Sequence, residues 1–166
     1  MTCTIKLINY CPVKSLSFQS INSCQIKKNL GMPNDRIFAF SRGIDYEKAK
    51  TIEKNPKERK LNNFLTLKNS PVLNKYNFSY NGNKLTLILD GEEIISISAD
   101  DQNEKSSLSK KLFELESTLI NPIILLKNTE YPFYDTSHSN NVFNSISLIN
   151  LNSIKDFEKK ISKNVE

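Results

Sequence analysis

Two dipeptides, Asn81-Gly82 and Asp90-Gly91, separate three short segments, in the middle one of which Leu85, Leu87 and Leu89 recur in alternation. Both dipeptides supply the positive φ values that tight hairpin turns need, so residues 77–80, 85–89 and 94–97 read as a three-stranded antiparallel meander. A meander that buries one leucine face needs a layer to cover it. The next stretch offers one: Asp100 or Asp101 can cap a helix whose Leu108, Leu112 and Leu115 share a face, running to about Glu116. A leucine stripe at that spacing is core rather than a site.

The other elements follow from the same two periods. Residues 4–10, with Ile5 and Leu7 on one side, read as a first strand, and 20–26 as a second. Asn29, Gly31, Pro33 and Asn34 make a turn-rich connection to a third strand over 36–40. Residues 42–63 are polar and highly charged, which predicts a surface excursion or mobile loop with at most a helical turn. Order returns at 64–67. Asn121-Pro122 opens a buried strand over 123–126, a long loop covers 127–144, and a last helix starts near Ser147 with the stripe Leu148, Leu151, Ile154, Phe157 and Ile161. The fold class expected is α+β, mainly β.

With 166 residues and 38% hydrophobic content, the chain can bury one sizeable core or two small ones. Its net charge of +5 comes from lysines scattered among acids, with patches no longer than Lys27-Lys28 and Lys110-Lys111, so a nucleic-acid partner is not expected. No segment approaches the run of about 18 apolar residues that spans a bilayer, and the N-terminus lacks the pattern of a signal peptide. A cytoplasmic, monomeric protein without a membrane partner is the expectation. Cys3, Cys11 and Cys24 have no CxxC spacing and read as reduced thiols rather than zinc ligands or disulfides. His138 is the only histidine, set in the polar run 137–141, and reads as an exposed loop residue.

Chemistry concentrates in Tyr10-Cys11-Pro12-Val13-Lys14-Ser15-Leu16 and in Asp35-Arg36. Pro12 fixes its own φ and pushes Cys11 toward an extended conformation, so the chain leaves strand geometry in a defined direction before Lys14. Lys14 brings a point charge, Ser15 a hydroxyl and Arg36 a planar fork of N–H groups, a set suited to one phosphate. The same residues also read as a solvated lysine, a turn serine and an Asp35–Arg36 ion pair. Asp135-Thr136-Ser137 likewise reads either as a pair of ligand hydroxyls or as an Asx or Ser/Thr turn.

The order Pro12-Val13-Lys14-Ser15-Leu16, Gly31, Asp35-Arg36, then Phe64-Leu65-Thr66-Leu67-Lys68 with Pro71, and finally Tyr134-Asp135-Thr136-Ser137 with Ile146-Ser147-Leu148-Ile149, resembles the MOSC proteins. These are molybdenum-cofactor enzymes related to the mitochondrial amidoxime-reducing component and to the C-terminal part of molybdenum cofactor sulfurase. The resemblance implies an antiparallel β-barrel-like N-terminal region over 1–99 and, over 100–166, a connecting helix with the incomplete start of the MOSC domain. It implies a molybdenum-molybdopterin cofactor, with Lys14, Ser15 and Arg36 holding its phosphate and Thr136 and Ser137 near the pterin. It also implies reduction of N-hydroxylated or N-oxide substrates with electrons from a redox partner. The family's metal-ligating cysteine lies beyond Glu166, so the expectation is a fragment without catalytic residues of its own and inactive alone; a non-catalytic β-rich protein-binding module or truncated relic is the alternative. Phe18 stands where the family commonly has a glycine soon after the Lys-Ser pair.

Overall fold

The computed structural model describes residues 4–28, 31–134, 147 and 149–161. Strands β1 (Ile8–Tyr10) and β2 (Gln19–Ile21) form one antiparallel pair, and β3 (Phe38–Arg42) and β7 (Ile123–Lys127) another. The meander β4 (Tyr76–Tyr80), β5 (Lys84–Leu89) and β6 (Glu92–Ser98) makes the third sheet, and α1 (Tyr46–Lys54), α2 (Gln102–Leu115) and α3 (Leu151–Ile161) complete the main elements. The architecture is therefore mixed α+β with antiparallel sheets. Among the described residues no sheet closes into a barrel, where the resemblance had implied a barrel-like region.

The meander forms where the turn dipeptides place it. Asp90 and Gly91 both take positive φ, 53° and 84°, the pair of values that a two-residue turn of this hand demands. Leu85 and Leu87 are fully buried on the inner face. Helix α2 covers β6 and β7 with Leu108 and Leu112, both fully buried. Its cap is Asp101, whose carboxylate accepts from the amides of Asn103 and Glu104 at 2.8 and 3.0 Å. Asp100 instead accepts from the Lys127 ammonium at 2.7 Å.

The β3–β7 ribbon is buried on both faces, which explains why its strands are apolar almost throughout rather than alternating. Phe38, Phe40, Ile123 and Leu125 face the larger core, where Phe38 packs edge-on to Tyr80 at 5.0 Å between centroids and Phe40 against Phe78 at 5.7 Å. Ala39, Leu126 and Ile124 face a second cluster with Ala49 and Ile52 of α1, Phe64 and Phe133. Both the ribbon pairing and the larger core run across residue 100.

Four expectations need correction. Residues 42–63 are an ordered part of the fold: α1 is capped by Asp45, which accepts from Lys48 N at 2.7 Å, and it buries Ala49 and Ile52 completely. Two short 3-10 turns, Pro56–Glu58 and Leu61–Asn63, follow it. The strand expected over 4–10 is confined to Ile8–Tyr10, with Ile5 72% and Leu7 64% exposed, and the one expected over 20–26 shifts to Gln19–Ile21. Alternation there lacks a partner surface. The last helix begins at Leu151, and its stripe residues Leu151, Phe157 and Ile161 are exposed.

The open edge of β4 is closed by side chains. Ser17 Oγ accepts from Phe78 N at 2.6 Å and Gln19 Oε1 accepts from Tyr80 N at 2.8 Å, while Gln19 Nε2 donates to Tyr80 O at 3.1 Å. Two residues apart in sequence, Ser17 and Gln19 match the two-residue repeat of a strand.

Since Asp101 rather than Asp100 satisfies the helix amides, Asp101→Ala is expected to lower stability by about 1 kcal/mol. Asp100→Ala removes a carboxylate that is itself 76% exposed, although its Lys127 partner is only 14% exposed, and is expected to cost less than the loss of the cap. Urea titrations of both variants check the difference.

Candidate functional site

The Cys11–Leu16 turn and the segment that starts β3 are laced together through their backbones. Arg36 N donates to Cys11 O at 2.6 Å, Phe38 N to Pro12 O at 3.0 Å and Lys14 N to Phe38 O at 2.8 Å. Asp35 adds a side-chain tie: one carboxylate oxygen accepts from Cys11 N at 2.9 Å and the other from Arg36 Nη1 at 2.6 Å. The ion pair anticipated as the plain alternative is thus present, and it also anchors the turn. Ser15 and Arg36 both hold left-handed backbone, with φ of 58° and 53°. For residues with a β-carbon such geometry costs of order 1 kcal/mol or more and needs support from its surroundings.

Lys14 is not displayed to solvent. Its side chain is buried, its ammonium donates to Phe133 O at 3.1 Å, and it lies 5.8 Å from the Phe64 ring centroid. Arg36 reaches the same segment from the other side, with its guanidinium carbon 5.6 Å from the Tyr134 ring centroid and its backbone carbonyl accepting from Phe133 N at 2.8 Å. Lys14 and Arg36 therefore converge on residues 133–134. Ser15, next to Lys14, is half-buried. Thr136 and Ser137, two and three positions past Tyr134, lie outside the described residues, as does His138.

The residue that holds this segment from below was hidden in the charged stretch. Arg59 is buried and spends its guanidinium on backbone carbonyls: Nε to Ile52 O at 2.9 Å, Nη2 to Glu53 O at 3.0 Å, and Nη1 to Tyr131 O at 2.7 Å and Pro132 O at 3.0 Å. Its plane stacks on Phe133 at 4.1 Å, and Phe133 in turn meets Phe64 edge-on at 5.6 Å. Burial pulls the Arg59 guanidinium down to about 10, with Glu53 acting against it, which still leaves it charged at neutral pH. Nothing in the sequence marks Arg59 among its charged neighbours. The aromatic run Tyr131-Pro132-Phe133-Tyr134 was the available signal.

Cys11 is a poor candidate for metal or covalent chemistry. Its sulfur lies 2.8 Å from Val13 O and 3.2 Å from Leu16 O, and burial pushes the thiol up to about 11, with Arg36 pulling the other way. A thiolate is the reactive and metal-binding form, and here it is disfavoured. Burial likewise raises the Tyr134 phenol to about 12, with Asp35 adding to the shift. Among the described residues no group of three or more histidine, cysteine or carboxylate side chains is placed to hold a metal, and no helix is long and apolar enough to cross a membrane.

Comparison with family models, curated proteins and solved structures finds no match.

Arg59→Met is expected to strand several buried carbonyls and lower stability by about 3 kcal/mol, readable as a shift in the urea midpoint. The raised thiol of Cys11 gives a second expectation. A group that holds its proton more tightly when folded favours the fold below its unfolded value and loses that contribution as pH rises. Stability should therefore fall between pH 9 and 11, and Cys11→Ala should flatten that fall, which denaturation across the range checks.

Proposed function

We propose that this chain is the cofactor-phosphate-binding part of a MOSC-type molybdenum oxidoreductase, acting on N-hydroxylated or N-oxide substrates with a redox partner. The observation that carries the reading is the meeting of Lys14, Arg36 and the 133–134 segment, which touch three of the stretches that carry the family resemblance, with Ser15 and Arg36 both in left-handed backbone. Strained backbone at named ligand positions supports a binding role.

The donor set fits a phosphate unevenly. Arg36 is about one-third exposed and commits Nη1 to Asp35, and a guanidinium has further N–H groups suited to phosphate oxygens. Lys14 acts differently from the sequence expectation: with its ammonium on Phe133 O it is a strut that fixes the backbone at residue 133. Asp35 orients Arg36 and holds Cys11 N. When bound, the molybdenum centre would supply the two-electron reduction. This chain's own residues anchor, orient and shape, and Cys11, with its sulfur turned to carbonyls, supplies no metal ligand.

A second reading, a non-catalytic module for a protein partner, draws on the exposed apolar residues Leu151, Phe157 and Ile161 of α3 and Ile149 just before it. One experiment separates the two. The chain is produced in cells that make molybdopterin, and the pterin released from purified protein is measured by fluorescence. Retained pterin that falls about tenfold in Arg36→Gln supports the cofactor reading, a change worth about 1.4 kcal/mol. Absence of pterin from the parent chain, or equal retention in Arg36→Gln, overturns it.

A further inference from the structure

A groove lies between two helices, lined by residues other than those of the Lys14–Arg36 region. Helices α1 and α2 both pack on β7 and leave a groove between them, a cavity of about 240 Å³ whose floor is Ile123 and Leu125 and whose walls include Tyr46, Phe113 and Lys105. Lys105 is 7% exposed, and its closest carboxylate among the described residues, Glu53 Oε1, is 3.8 Å away, beyond hydrogen-bonding distance. Lysines are almost never buried to this extent without a close partner.

Charge in the groove is unbalanced toward the positive. Glu53 is shared between Lys105 and Lys50, the latter at 3.7 Å, and it also accepts from Lys127 N at 2.8 Å. The neighbouring Lys127 and Asp100 neutralise one another at 2.7 Å. One carboxylate thus faces two ammonium groups, while Lys110 at the rim has its own carboxylate in Glu114 at 3.9 Å. Burial lowers the Lys105 ammonium below its ordinary value, with Glu53 pulling it back and Lys50 adding to the fall. An anion beside it would relieve that cost.

We propose that the groove between α1 and α2 binds a small anion with an apolar or aromatic body, its charged end on Lys105 and its body against Phe113, Ile123 and Tyr46. The groups agree with the chemistry of such a ligand: apolar walls beside convergent polar groups orient a small molecule, and the ammonium of a largely buried lysine selects its charge. The site is independent of the Lys14–Arg36 region and stands or falls separately.

The test is titration of the isotopically labelled chain with phenyl phosphate, followed by amide shifts. Expected are saturable shifts confined to residues 102–113 and 121–125, with a Kd of about 1 mM or tighter. Phenol, which lacks the charge, and inorganic phosphate, which lacks the ring, should each bind about tenfold more weakly. Lys105→Met should weaken phenyl phosphate about tenfold. Because that variant alters a buried position, Ser106→Glu serves beside it: Ser106 is exposed, lines the groove, and gains a repelling carboxylate without disturbing the core. Shifts that do not saturate, that spread over the surface, or that persist unchanged in Ser106→Glu overturn the proposal.

Discussion

Two buried cations, Lys14 and Arg59, hold the chain together at a place where it has no regular structure. Residues 131–134 make no helix or strand, yet Phe133 is 1% exposed. A loop can enter a core only if its carbonyls find donors there. Arg59 serves Tyr131 O and Pro132 O, and Lys14 serves Phe133 O. The same guanidinium closes the last turn of α1 through Ile52 O and Glu53 O, so one side chain joins helix end and loop. Phe133, under the Arg59 guanidinium and edge-on to Phe64, fills the apolar space that remains.

This arrangement changes what the basic residues near Cys11 are able to do. A lysine whose ammonium is engaged inside the protein positions other groups, whereas an arginine at the surface with one edge on Asp35 keeps donors to offer. The plain reading of Asp35-Arg36 as an ion pair and the ligand reading are compatible, because the pair sets the direction of the guanidinium. The Asp35 carboxylate also fixes Cys11 N, so the ion pair and the turn each use one oxygen of a single side chain.

Elements whose signal is local were legible from the residues. The meander follows its turn dipeptides, α2 its aspartate cap and leucine stripe, and β7 its apolar run. Helix α1 escaped because it has nine residues and only Ala49 and Ile52 are apolar and fully buried, too few to stand out against its charges. Its Asp45 cap was visible in retrospect. Strand limits near the N-terminus failed for the opposite reason: Ile5 and Leu7 alternate properly but nothing covers them. At the candidate site, the adjacency of Lys14 and Arg36 to one segment could be anticipated only through resemblance, and Arg59 not at all, since a guanidinium bound to carbonyls leaves no acidic partner in the pattern of the sequence. Thr136 and Ser137 lie outside the described residues.

Ser17 and Gln19 carry a consequence for how the molecule behaves among copies of itself. The outward amides and carbonyls of Phe78 and Tyr80 are the kind of template on which a second chain adds a strand, the first step toward fibrils. A hydroxyl and a carboxamide occupy those groups and imitate a neighbouring strand, so another chain finds the main-chain groups of Phe78 and Tyr80 already engaged. In a crowded cell, protection against assembly at this edge would rest on two small polar residues.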